Sequence, residues 1–216
     1  MTIYPADTPE TLHPLIVTTV FGVVALLSCI GRLYALHIRN QSFREEEYCI
    51  AVALFLTYVS LGIQWACVIH GGTGRHIGDV EMLDVVLTLK LIIPFEALYG
   101  LTLMFVKLAV LRFYSRIFAP SAWVTWSVRV TAAAVIMWMI SVVLETFLLC
   151  RPLAFNWDTT IDGVCGDRNA VFVIAGVTNM ITDFMVLLLP VPCILKLQMP
   201  VGQKFGLLLV FCMGIL

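Results

Sequence analysis

Asp183 stands in the middle of a long apolar run, with Thr178, Asn179 and Thr182 beside it. At 100° per residue these four side chains fall within about 140° of one another on a helix. A carboxylate facing lipid costs several kcal/mol, so the stripe predicts a face turned to a protein interior. Glu96 lies at a similar depth in another apolar run and shares its face with Tyr99, Gly100 and Leu103. Two chemistries fit Asp183, Asn179 and Glu96. One is hydrogen bonding that holds helices together. The other is a site for a ligand, a proton or a cation, in which two carboxylates at like depth do not both ionise cheaply. Lys90 and Glu145 sit nearer one end of their runs and form a candidate ion pair, with snorkelling to the interface as the alternative.

The cysteines and basic residues add two further candidates. Of seven cysteines, Cys150 and Cys165 alone fall clearly in one predicted outer loop, where an oxidising compartment permits a bridge. Cys67, near the outer end of its run, is the rival partner. From Ala97 to Leu144 the chain carries no acidic residue, while Lys107, Arg112 and Arg116 punctuate an apolar and aromatic stretch. Such a segment suits anionic lipid or a cytoplasmic signalling partner.

Other chemistry is not visible. His70 and His76 flank the Gly71–Gly74 turn without metal-ligand spacing, and no CxxC or HExxH occurs. The glycine cluster follows no strand and precedes no Gly-Lys-Ser/Thr, so it reads as a turn rather than a phosphate loop. There is no nucleophile elbow, and the basic residues do not interleave with aromatics as nucleic-acid binding requires. The reading is a non-enzymatic protein with no cofactor, no metal and no nucleic-acid partner.

The elements that must position these residues are membrane spans. The chain of 216 residues is 61% hydrophobic and 12% charged, with mean hydropathy +0.99. Apolar runs cover Leu15–Leu36, Tyr48–Ile69, Leu83–Phe105, Val130–Leu149 and Ala170–Leu195. A helix crosses a hydrocarbon core of about 30 Å with about 20 such residues. A sixth run opens at Phe205, but its 12 residues span only about 18 Å, so it is expected to be truncated. The fold class is all-α: a polytopic helix bundle with five full spans, a truncated sixth and seven expected in the complete protein. Residues 1–14 form a short exoplasmic segment, with no basic or apolar signal-peptide region. Residues 15–216 form one transmembrane domain.

Charge sets the orientation. Arg32, Arg39, Arg44, Lys107, Arg112, Arg116, Arg129, Lys196 and Lys204 flank the odd-numbered loops. The N-terminus and even loops hold only Arg75, Arg151 and Arg168. The positive-inside rule places the N-terminus outside. Glu45, Glu46 and Glu47 share a cytoplasmic loop with the arginines, but acidic residues contribute little to the rule.

Several local patterns coincide. They are Gly72-Thr73-Gly74-Arg75-His76 after the second span and Lys107 with Leu111–Phe118 closing the third. Cys150-Arg151-Pro152 with Trp157 and Cys165 follows, then Asp183 with Leu189-Pro190-Val191-Pro192 and Lys204. Together they resemble one family, the fungal rhodopsin-domain integral membrane proteins, from about Arg32 to the end. The resemblance implies seven helices, an outside N-terminus and kinship with receptor-like fungal surface sensors. Two departures stand out. Glu45–Glu47 replaces an Asp-Asp-Trp-like element, and no cysteine-rich segment of the CFEM type precedes the first span. Lys90, Lys107 and Lys204 do not suit a retinal Schiff base, so no light-driven function is expected. The expected function is a receptor-like sensor of an external small molecule in the plasma membrane. The alternative is an ion- or proton-coupled transporter, or a structural membrane protein, using Glu96 and Asp183.

Overall fold

The computed structural model describes residues 4, 9–38, 44–75, 78, 80–117, 122–158 and 160–192. Five helices carry the fold: α1 (Pro9–Ile38), α2 (Glu45–Ile69), α3 (Met82–Ile117), α4 (Ala122–Leu148) and α5 (Arg168–Leu188). All five are long and apolar enough to cross a bilayer. Between α4 and α5 lies a small hairpin, in which β1 (Cys150–Arg151) pairs antiparallel with β2 (Val164–Cys165) around a short 3-10 turn, Leu153–Asn156. The sixth run at Phe205, the stretch of the fifth run from Cys193 to Leu195, His76, Phe118 and Lys204 lie outside the described residues.

The helices pack in chain order, α2 against α1 and α3, and α4 against α3 and α5. Their outward faces are apolar: Phe21 is 68% exposed, and Phe55, Met137 and Val173 point outward similarly. Water would penalise such a surface, whereas lipid matches it. With no hydrophobic drive between helices in lipid, packing rests on close fit and polar contacts. On α4 the buried residues Val124, Val128, Thr131, Val135, Trp138 and Val142 recur at spacings of three and four, one stripe facing α3 and α5. Gly100 lets α3 approach that stripe, since a Cβ added there would lie 3.1 Å from Val142 Cγ1.

Two helix boundaries have a clear local cause. Gly72 and Gly74, with φ of 64° and 89°, allow the tight turn that ends α2. Asp167 caps α5 by accepting from the backbone N–H of Asn169 and Ala170 at 3.0 and 3.2 Å. Tyr4 fastens the N-terminal segment to the α2–α3 turn. Its N–H donates to Ile69 O at 2.8 Å, and its hydroxyl accepts from Glu81 N at 3.0 Å. Tyr58 Oη donates to Gly22 O at 3.0 Å and ties α1 to α2 in mid-bundle.

Candidate functional site

Among the described residues, three of the polar sites along the bundle hold the groups singled out above. The first is a cavity of about 190 Å³ between α3, α4 and α5, at the end that carries the β-hairpin. Leu89, Ile93, Val142, Val171 and Ala175 give it apolar walls. Glu96 enters from α3 and Glu145 from α4, near enough for their charges to interact. Neither carboxylate has a hydrogen-bond or ion-pair partner among the described residues. Arg168 and Asn156 stand at the hairpin side, joined by Arg168 Nη2 donating to Asn156 Oδ1 at 2.6 Å.

Trp138 and Asn179 line the cavity on one side and touch the second site on the other. That second site is Lys107, whose side chain is only 6% exposed. Its ammonium donates to Asn179 Oδ1 and Thr182 Oγ1, both at 2.8 Å, and lies 2.9 Å from Asp183 Oδ1. Three donors therefore meet three oxygens, which is the condition for holding an ammonium within a bilayer. The charge also sits 5.0 Å from the Trp138 ring centroid, whose indole N–H is taken up by Ala175 O at 3.1 Å. Asn179 Nδ2 donates to Asp183 Oδ2 at 3.1 Å, one helical turn along α5.

The third site closes the opposite end, where α1, α2 and α3 meet. Arg32 grips Glu47 with Nε at 2.9 Å from Oε2 and Nη2 at 2.8 Å from Oε1. Arg116 Nη1 reaches Glu46 Oε1 at 2.7 Å, and both glutamates are buried. Arg112 pairs with Glu45 at 3.2 Å on the exposed rim.

These placements correct three expectations. Lys107 is not a surface residue beside Arg112 and Arg116. A lysine ends an apolar run in sequence, but its oxygens come from α5, so Lys107 lies inside the bundle on a helix that runs on to Ile117. Asp183 does not share its site with Glu96. Eleven residues of α3, about 16 Å of helix, separate Glu96 from the lysine that Asp183 meets; the carboxylate across from Glu96 is Glu145. Lys90 and Glu145 are not an ion pair either. The Lys90 ammonium rests 5.5 Å from the Trp157 ring centroid, drawn to the hairpin rather than across to α4.

Cys150 and Cys165 form a disulfide that closes the hairpin, and Cys67 stays a free, buried thiol. Among the described residues no group of three or more His, Cys, Asp or Glu is disposed to hold a metal ion. Sequence reasoning did not single out Trp138, Asn156 or Arg168. For Trp138 a signal existed: an indole N–H inside a span needs an acceptor on a neighbouring helix.

The fungal rhodopsin domain model matches residues 31–216. The polyenoic acids biosynthesis gene cluster protein Ba17b of Metarhizium anisopliae is 26% identical over 200 residues, which cover 90% of this chain and 54% of that protein. A SAT4 family membrane protein of Emericella nidulans is 28% identical over 67% of this chain and 38% of its own length. Fugralins biosynthesis cluster protein 2 of Gibberella zeae is 27% identical over 88% of this chain and 48% of its own. The chain thus spans about half the length, or less, of the curated relatives it matches. No solved structure matches it. With the family model covering most of the residues, and the glycine turn, the bridged hairpin and Asp183 all within it, the chain belongs to the fungal rhodopsin domain family.

Proposed function

We propose that this protein is a receptor-like, non-enzymatic sensor of the plasma membrane that binds an external small molecule in the α3–α4–α5 cavity. The observation that carries the reading is the cavity itself, which has apolar walls, two carboxylates and the polar side chains of Asn156, Arg168 and Asn179, and is set at the hairpin end. A disulfide belongs to an oxidising compartment, so the bridged hairpin supports an exoplasmic assignment for that end. The basic asymmetry of the loops favours the same orientation, with the N-terminus outside. Helix α3 then runs from the cavity through Lys107 to Arg112 and Arg116 at the cytoplasmic end, where a signalling partner has charged groups to meet. Two relatives are named for biosynthesis clusters of polyenoic acids and fugralins, which supports a small organic molecule as the ligand class.

Gly176 provides the test, because it lines the cavity and a Cβ added there meets no atom within 4 Å. Gly176→Leu should fill the space without straining the helix. The protein in lipid nanodiscs is heated with indole- and phenyl-sized probes that are cationic, neutral or anionic. Saturable stabilisation by at least one class, absent in Gly176→Leu, is the expected result. Stabilisation by none, or the same stabilisation in Gly176→Leu, overturns the reading.

The Lys107–Asp183 pair favours a second reading, proton- or ion-coupled transport, because an enclosed ammonium that parts from and rejoins a half-exposed carboxylate can carry a charge. Under it, Asp183→Asn reaches the membrane at normal levels but loses proton-driven uptake in vesicles. An unchanged activity leaves Asp183 as a helix-joining group.

A further inference from the structure

We propose that the cavity between α3, α4 and α5 recognises a protonated amine carried on an aromatic or apolar body. The inference rests on the cavity being a ligand site and names the chemistry of that ligand. Glu96 and Glu145 come from different helices, converge on one space and have no hydrogen-bonding or ion-pairing group of the described chain against them. Two unpaired carboxylates in a cavity whose walls are largely apolar, with Arg168 only at its hairpin side, call for a positive charge between them.

None of the nearby cations among the described residues pairs with either glutamate. Arg168 borders the same cavity and donates to Asn156 at 2.6 Å, and its charge reaches Glu96 only through space. Lys90 lies over Trp157, and Lys107 is held by three oxygens on the far side of Trp138. An inorganic divalent ion is less well served, because among the described residues no third His, Cys, Asp or Glu joins the two carboxylates. An organic ammonium does fit. It brings its own N–H donors to Glu96 and Glu145, and its apolar body lies against Trp138, Tyr99 and Phe172, which all border the cavity.

The charge preference is tested on the full protein in nanodiscs with three probes of nearly equal shape: tryptamine, the neutral indole-3-ethanol and the anionic indole-3-acetate. Dissociation constants come from calorimetry, with empty nanodiscs subtracted. Tryptamine should bind at least about tenfold more tightly than the alcohol, and the acetate more weakly than either. Glu96→Gln and Glu145→Gln should each shrink the ratio of tryptamine affinity to indole-3-ethanol affinity toward one. Binding of all three probes without charge preference, blocked by Gly176→Leu, refutes the amine inference and leaves the sensor reading standing. Failure of every probe refutes both. Should a glutamine variant not fold, the ranking of the three probes on the unmodified protein still decides.

Discussion

Asp183→Leu isolates the energetics on which the middle of the bundle depends. In the native chain the Lys107 ammonium has three oxygens at 2.8 to 2.9 Å, and only Asp183 among them carries a compensating charge. Removing one partner of a buried pair costs about 3–5 kcal/mol, chiefly because the other charge is stranded. Asp183 is 54% exposed while Lys107 is almost wholly enclosed, so the stranded group is the costly one and about 3 kcal/mol is expected. That is more than a hundredfold in the unfolding equilibrium. Asp183→Asn retains an oxygen at the same place and should cost only about 1–2 kcal/mol. Lys107→Met leaves Asp183 with the Asn179 amide and should cost about 2 kcal/mol. The combination Lys107→Met with Asp183→Leu removes both charges together and should recover to within about 1 kcal/mol of the native protein. Reversible unfolding in mixed micelles, followed by tryptophan fluorescence, yields all four corners of the cycle. If the double variant loses the sum of the single losses, the two groups are not coupled and the reasoning fails.

Three other outcomes follow from the same geometry. Replacing Cys150 and Cys165 with serine opens a bridge across 15 residues and should cost about 3 kcal/mol on the chain-entropy account, and peptide mapping of the native protein without reductant should find these two joined and Cys67 free. Single cysteines at Asp162 and Arg44 report orientation: an impermeant maleimide on intact cells should label the first and not the second, and the reverse would invert the topology. Gly100→Val drives a side chain into Val142 and should cost about 1–3 kcal/mol, with Val142→Ala restoring most of it; a neutral Gly100→Val would show that α3 and α4 are not in close contact there.

The spans were legible because a bilayer admits few alternatives. A run such as Tyr48–Ile69, without a charge, has to be a helix, and α2 ends at that same Ile69. The Asn179–Asp183 contact was legible for a similar reason, since residues four apart on a helix always meet. Partners on different helices were not. Whether Lys107 or Glu96 faces Asp183 depends on how far α3 slides along α5, and nothing local to either segment encodes that offset. Hydropathy also misplaced Lys107, because a window over neighbouring residues sees the ammonium but not the oxygens some 70 residues later that accept it. The Glu45–Glu47 triplet, an oddity beside the arginines in sequence, supplies the counter-ions of Arg32, Arg112 and Arg116 once three helix ends come together.

That convergence carries a consequence for biogenesis. A membrane chain enters the bilayer in the order in which it is made, and Glu46 and Glu47 emerge before Arg116 exists. Arg32, already synthesised at the end of α1, is the partner on hand when α2 inserts, and it holds Glu47 by two nitrogens. Arg116 arrives only as α3 is completed and takes Glu46. The two arginines thus guard the same pair of carboxylates at different moments, one during insertion and the other at assembly. Loss of Arg32 should therefore appear as nascent chain discarded at the translocon, and loss of Arg116 as inserted protein that fails to close this end of the bundle.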